Sequence, residues 1–477
     1  MPDSGSTPGL RQTAARDRRR APAYAGTMRQ PSWCLLLVVL SVATVGCGRG
    51  PESRNAGPTA APTPAAANLG LPGRANEHVS LASRGAFVVA AWAATSPEAA
   101  TDIYTSVSLD GARTFSPPVR VNQLAGDARA NGEQPPRVAL VPRGTSVPDV
   151  VVFWLARREG VSVLLTARSI DGGRAFGETT LVPGTNTVGN RGWQALGVSD
   201  AGRVDAVWLD HRRMAASSAG RGPATTTATT NTGSAHQHHG ATTTTAAAAT
   251  DGVAMAQRSD LYFASLDGGE ARAITPGVCY CCKTAIVHGA GDAIHLAWRH
   301  VYAGNMRDIA FTSSVDGGRT FGAPVRVAED QWSVAGCPDD GPSMAVDGAG
   351  RIHVVWPTMV TEGTVGTKTL FHAMTTDGRT FSPRVRITSG AHAHHPQVVA
   401  APDGTLAVAW DESWGDGRRV RQAIGRIPAS GAVSFETVPP SEELIGRYPA
   451  MAVSDDAVVT AWVSGTGASS RIRVTRR

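Results

Sequence analysis

Short apolar runs recur along the chain, and seven of them end in tryptophan: FVVAAW at Trp92, DVVVFW at Trp154, RVDAVW at Trp208, AIHLAW at Trp298, RIHVVW at Trp356, TLAVAW at Trp410 and AVVTAW at Trp462. The intervals are 62, 54, 90, 58, 54 and 52 residues. Setting aside one insertion of about 35 residues in the longest interval leaves a period near 55. Each repeat has the same internal order. A short apolar run such as SMAVD precedes a Gly or Asp turn, then the Trp run, then a third run such as DIAFTSS, then a fourth such as PVRVA. β-branched and small residues between Gly-rich turns predict strands. Four antiparallel strands every 50 to 60 residues predict an all-β chain of propeller blades.

The turn before the fourth strand carries a second pattern: SLDGARTF (Ser108 to Phe115), SIDGGRAF (Ser169 to Phe176) and SVDGGRTF (Ser314 to Phe321). TTDGRTF is one residue shorter, and SLDGGEAR lacks the aromatic. The carboxylates of Asp110, Asp171, Asp267, Asp316 and Asp377 are placed to accept N–H groups of their own turns. These turns resemble the Asp-box of the sialidase superfamily, and residues from about 70 to 477 resemble its bacterial secreted branch. The resemblance implies a propeller with the boxes opposite the ligand face. For an active member it implies a retaining glycosidase, with three arginines on a substrate carboxylate, a tyrosine nucleophile activated by a glutamate, and an aspartate acid/base. The family's Arg-Ile-Pro motif occurs here only at Arg426-Ile427-Pro428, in repeat six rather than before the first box.

Seven Trp runs predict seven blades, with six and a spare carboxy-terminal segment as the alternative. The last repeat shows three strands, and Asn68 to Gly73 is placed to supply a fourth and close the ring. Between strands two and three of repeat three lies the insertion, at about 214–251, rich in Thr, Ala and His. Its composition predicts a segment without a core.

Composition alters the picture mainly at the amino end. Residues 1–46 read as a leader whose true start is Met28, with an apolar run from Cys34 to Val45. TVGC ending at Cys47 resembles a lipobox, which implies lipidation of Cys47 and an extracytoplasmic, membrane-anchored lipoprotein. A secreted or periplasmic protein is the alternative. Residues 47–68 are a Pro/Ala-rich tether, and 69–477 form the propeller. The net charge of +6 includes +4 from residues 1–46, where six Arg face two Asp, leaving +2 after the leader. That balance points away from nucleic acid, and towards a membrane only through the anchor.

In such a ring, loops joining strand four to the next strand one share a face with those joining strands two and three. That face gathers the ligand-binding candidates Arg212, Arg299, Arg307, Asp308, Arg447, Trp193, Trp332 and Trp414. Tyr448 and Glu412 are the rim residues available for catalysis. A glycan or a small anionic ligand is the expected partner, with a divergent glycosidase as the alternative. Cys279, Cys281, Cys282 and Cys337 occupy two neighbouring loops there and are expected to form two disulfides. A copper or zinc site drawn from Cys279, Cys282, Cys337, His211 and His300 is the other reading. No cofactor is implied beyond that metal ion.

Overall fold

The computed structural model describes residues 67–477 except 145, 220–251, 335, 337, 389–391, 429–432, 440–443 and 456. The leader, Cys47, the tether and Cys337 lie outside the described residues.

Seven antiparallel sheets form the fold. Blade 1 is β2 (Ala75–Arg84), β3 (Phe87–Thr95), β4 (Thr101–Ser108) and β5 (Val119–Arg120), after an initial β1 (Ala67–Leu69). Blade 2 has a divided inner strand, β6 (Ala128–Arg129) and β7 (Arg137–Arg143), both paired to β8 (Ser146–Arg158), followed by β9 (Val161–Ser169) and β10 (Thr180–Leu181). Blade 3 is β11 (Arg191–Val198), β12 (Val204–Asp210), β13 (Asp260–Ser265) and β14 (Arg272–Pro276). Blade 4 is β15 (Ala285–His288), β16 (Ile294–Arg299), β17 (Ile309–Ser314) and β18 (Val325–Arg326). Blade 5 is β19 (Ser343–Val346), β20 (Ile352–Glu362), β21 (Val365–Thr375) and β22 (Val385–Arg386). Blade 6 is β23 (Ala393–Ala400), β24 (Leu406–Trp414), β25 (Gly417–Arg426) and β26 (Ser434–Thr437). Blade 7 is β27 (Arg447–Ser454), β28 (Ala457–Ser464) and β29 (Arg471–Arg476). Inner strands β2, β7, β11, β15, β19, β23 and β27 touch in that order, and β27 returns to β2. The chain is therefore a seven-bladed β-propeller, and the six-bladed alternative falls.

β1 closes the ring. Ala67, Asn68 and Leu69 pair with Val474, Arg473 and Ile472 of β29, giving blade 7 its outer strand. The strand starts one residue before the segment expected for this role and ends at Leu69.

The seven tryptophans lie on the second strands, each at most 1 % exposed. These strands are buried on both faces because neighbouring blades cover them, so they read as continuous apolar runs rather than alternating ones. Indole N–H groups also tie down loops on the mouth side. Trp92 donates to Asn76 Oδ1 (3.1 Å), Trp356 to Asp330 Oδ2 (2.6 Å), Trp410 to Glu412 Oε2 (3.2 Å) and Trp462 to the Ile445 carbonyl (3.1 Å).

Four of the five Asp turns share one geometry. Asp110 Oδ1 accepts the N–H groups of Arg113 (3.0 Å) and Thr114 (2.9 Å), while Ser108 Oγ donates to the same oxygen (2.7 Å). Asp171 and Asp377 likewise accept two N–H groups and a hydroxyl of their own turns, and Asp316 accepts the Thr320 N–H and the Ser314 hydroxyl. Asp267 departs, accepting the N–H of Val204 at 2.7 Å across the blade, where its turn lacks the aromatic that folds the others back.

The insertion starts as helix α1 (Arg212–Ala219), whereas the composition predicted no structure from about 214. An Ala-rich run with the Arg212 N–H capped by Asp210 Oδ1 at 3.0 Å favours this first stretch of helix. Residues 220–251 lie outside the described ones.

Candidate binding site at the mouth of the ring

Four inner strands break register at the same place. The shifts fall between Glu77 and Ser80, Gly192 and Ala195, His394 and Gln397, and Arg447 and Ala450. Each bulge holds a bulky residue in the left-handed region: His78 (φ 58°), Trp193 (53°), His395 (52°) and Tyr448 (52°). Asp339, in the link entering blade 5, does the same at 48°. A bulge re-aims a side chain and concentrates next to functional sites. Holding non-glycine residues there costs about 1 kcal/mol or more each, a strain that the surrounding contacts must offset.

Three of those rings line one cavity of about 80 Å³ on the ring axis. His395 and Tyr448 have ring centroids 4.3 Å apart, and His78 lies 5.9 Å from Tyr448. Glu133 and Lys283 also line the cavity, paired with each other at 3.1 Å. Glu133 is the tie between blades: its Oε2 accepts the N–H groups of Lys283 (3.1 Å) and Gly341 (2.7 Å). Gly341 packs so closely that a Cβ there would collide with the Lys283 carbonyl oxygen. The loops bearing CYCC and CPDD are therefore neighbours, as the repeat geometry requires.

The chain has only two lysines, Lys283 and Lys368, and both are buried near this axis, at 4 % and 8 % exposed. Lys283 Nζ donates to the Pro396 carbonyl (2.9 Å). Lys368 Nζ donates to Asp340 Oδ2 (2.6 Å), and His394 Nδ1 lies 2.7 Å from the same oxygen. Asp340, His394 and His395 have the donor types of a metal site. The Lys368 ammonium already supplies the positive charge at Asp340 that a cation would bring.

Electrostatics follow from this packing. Burial alone would raise Asp340, but Lys368, His394 and His395 hold it well below the usual carboxylate range. Asp411 is likewise buried but lowered, chiefly by His395 at 2.8 Å and also by Arg418. Burial pushes His395 down, and Asp411 and Asp340 more than reverse this, so its pKa is raised. Tyr448 is raised by burial and by the carboxylates of Asp339 and Asp411, so its hydroxyl stays protonated. Burial lowers His78 to about 4, leaving it neutral.

Most arginines expected to meet ligand are instead structural. Arg299 is 1 % exposed and donates to the carbonyls of Asp340 (3.0 Å), Arg307 (2.6 Å) and Pro357 (2.6 Å), with its guanidinium over Trp332 at 4.8 Å. Arg307 is fully buried against Cys279, and Asp308 is fully buried beside Arg326 at 3.4 Å. Arg212 grips Asp210 and covers Tyr262 at 4.3 Å. Arg447 reaches Glu77 at 2.5 Å and stays part-exposed at the mouth. Trp332 is buried, Trp193 packs on His211 at 5.4 Å, and Trp414 is exposed beneath Arg419 at 3.6 Å. Long arginines bridge carbonyls of several loops better than water does, so in this chain they build the rim rather than line it. Glu412 is held by Trp410, Arg419 and Arg421 at the end of its own strand.

At the cysteines the two-bridge expectation fails. Cys279 and Cys282 are free thiols, while Cys281 is disulfide-bonded. The Cys279 and Cys282 sulfurs lie 3.6 Å apart in an apolar pocket with Ala256 and Val301. Burial would raise Cys279, but its hydrogen bond from Cys282 and the Arg307 and Arg299 charges bring it down to about 6. His211 and His300 do not join the group of sulfur donors, and burial lowers each to about 4. The His300 ring instead accepts from Trp298 at 3.3 Å and packs on Tyr302 at 4.6 Å.

A larger cavity, about 580 Å³, opens on the opposite face between the Asp110 and Asp171 turns. Phe87, Val107, Leu109 and Phe115 line it together with Asp110, Asp171 and Arg174 of the turns.

No protein-family model matches the chain, and no curated protein matches it. Solved structures do. An α-L-arabinanase of Penicillium chrysogenum complexed with arabinobiose is 14 % identical, covers 87 % of this chain and 98 % of its own, and has a TM-score of 0.45. The polysaccharide lyase Uly1 is 11 % identical, with coverage of 84 % and 90 % and a TM-score of 0.47. The Hadza microbial sialidase Hz136 is 13 % identical, with coverage of 79 % and 73 % and a TM-score of 0.42.

Proposed function

We propose that this propeller binds a carbohydrate chain at the mouth of its ring, with one polar substituent of the sugar seated in the axial pocket. One observation carries the reading. Bulges in blades 1, 6 and 7 turn His78, His395 and Tyr448 into a wall of rings facing the Glu133–Lys283 pair. Ring faces opposite directional polar groups suit a ligand with an apolar face and hydroxyl edges. The cavity of about 80 Å³ is small beside the several hundred of a typical ligand pocket. It therefore takes a hydroxyl, carboxylate or amide group, and the sugar ring rests across the mouth beside Arg447.

Binding is favoured over sialidase-type hydrolysis by two contacts. A nucleophilic tyrosine needs a lowered pKa, and burial together with the carboxylates of Asp339 and Asp411 raises that of Tyr448 instead. Glu412, the expected activator, is occupied by Trp410, Arg419 and Arg421. Calorimetric titration with a panel of acidic and neutral oligosaccharides tests this. We expect binding that weakens about tenfold in Tyr448→Phe and in His78→Ala, one lost hydrogen bond being worth about 1.4 kcal/mol in such a pocket. Turnover of a sialoside or another glycoside that is abolished by Tyr448→Phe would replace binding by catalysis.

The extracytoplasmic, lipid-anchored placement belongs to the same proposal and rests on the sequence around Cys47 alone. Metabolic labelling with an alkynyl fatty acid, lost in Cys47→Ser, is the expected result. A labelled Cys47→Ser variant would remove the anchor.

A further inference from the structure

We infer that Cys279 and Cys282 form a two-thiolate site for a soft monovalent cation of the copper(I) class, with Arg307 as its built-in counter-charge. This is independent of carbohydrate binding. The two sulfurs lie 3.6 Å apart, and both residues are at most 1 % exposed. The spacing is too long for a disulfide, near 2.05 Å, and puts both sulfurs within reach of one ion. Cys281 is the third sulfur nearby, at 3.8 Å from Cys279, but its disulfide removes it as a thiolate.

Arg307 is the second, independent observation. It is fully buried, and among the described residues no carboxylate pairs with it. Its Nη1 donates to Cys279 Sγ at 3.0 Å, its Nη2 reaches Asn305 Oδ1 at 3.2 Å, and its Nε has no hydrogen-bond partner. Asp308, next in the chain, turns to Arg326 instead. A buried guanidinium without an anion is strongly unfavourable, so the pocket calls for negative charge at sulfur.

Charge and coordination number then select the ion. Two thiolates and one monovalent cation leave a single negative charge, which Arg307 faces directly at 3.0 Å from Cys279, with the buried Arg299 as a second cation nearby. Two thiolates with zinc would be neutral, leaving Arg307 uncompensated. Zinc would also lack two of its four ligands, because neither His211 nor His300 joins the sulfur group. Thiolates are the ligands that suit copper(I). Loading starts from two thiols: Cu⁺ forms two Cu–S bonds, both S–H bonds break, and two protons leave to solvent.

The test is anaerobic titration of the purified full chain against copper(I) held by bicinchoninate. One equivalent should pass to the protein, with affinity falling at least about 100-fold in Cys279→Ser and Cys282→Ser. Arg307→Gln keeps both sulfurs, and its affinity should fall about tenfold, within the range for residues supporting a metal ligand. Zinc(II) should stay with a competing chelator. If the serine variants do not fold, alkylation of the wild-type chain decides, read by peptide mass: one equivalent of copper(I) should protect Cys279 and Cys282 together. No transfer of copper(I), unprotected thiols, equal retention of zinc(II), or a Cys279–Cys282 disulfide in the isolated chain would each overturn the proposal.

Discussion

At the scale of single residues, the axis is held by buried charges whose partners come from different blades. Glu133 of blade 2 joins Lys283 before blade 4 and the Gly341 N–H before blade 5. Removing one member of such a pair leaves the other buried and uncompensated. Lys283→Met should therefore destabilise the chain by about 3–5 kcal/mol, and adding Glu133→Gln should recover a large part. Urea unfolding of the two single variants and the double variant checks this; additive losses would show that the pair does not couple. The two lysines were visible in the sequence, set against 43 arginines. That ratio makes a compact ammonium rare in this chain, and both copies of it are buried near the axis. Nothing in the sequence marks His78, His395 or Tyr448 as left-handed. That conformation usually announces itself through glycine or asparagine, and here tertiary packing imposes it on large rings.

At the scale of elements, the repeat was legible because every second strand ends in a buried tryptophan and every blade reuses the same turn order. The closing strand was legible too, as the piece blade 7 lacked. Its effect is measurable. Deleting residues through Leu69 removes the pairing to β29 and the burial of Leu69, which is 7 % exposed. We expect a loss of at least about 2 kcal/mol in urea unfolding, together with aggregation through the bared β29 edge. An unchanged midpoint in a monomeric variant would mean that β1 does not latch the ring. The burial of Arg299 and Arg307, expected at the open rim, has a reason that belongs to this scale. A loop's position can be inferred from the repeat, but whether its arginine faces solvent or bridges neighbouring carbonyls depends on how adjacent loops cross. Arg299 reaches backbone 41 and 58 residues further along.

At the scale of the whole molecule, burial of neutral imidazoles sets the response to acid. Burial lowers His78, His211, His295 and His300 to about 4 and His372 to about 3. Unfolded, these groups titrate near 6.5, so between 6.5 and 4 the unfolded chain binds more protons than the folded one. Stability is therefore full above about pH 6.5 and falls as pH drops, by up to about 1.4 kcal/mol per pH unit for each such group. His395 has the opposite sign. Its raised pKa stabilises the fold below its unfolded value and is lost as pH rises through the folded one. Burial lowers His353 and His394 as well, so one raised histidine set against seven lowered ones leaves the net trend downward in acid. Melting temperatures taken between pH 7.5 and 5 should fall steadily, and a flat profile would contradict the buried neutral histidines.

The central claim is that ligand meets the chain at the axial mouth rather than on the face of the Asp turns. Hydrogen exchange of the full chain, with and without a saturating oligosaccharide identified by calorimetry, tests it most directly. Slowed exchange should concentrate in peptides containing His78, Glu133, His395 and Tyr448. Protection confined to the Asp110 and Asp171 turns, with those four peptides unchanged, would contradict the account.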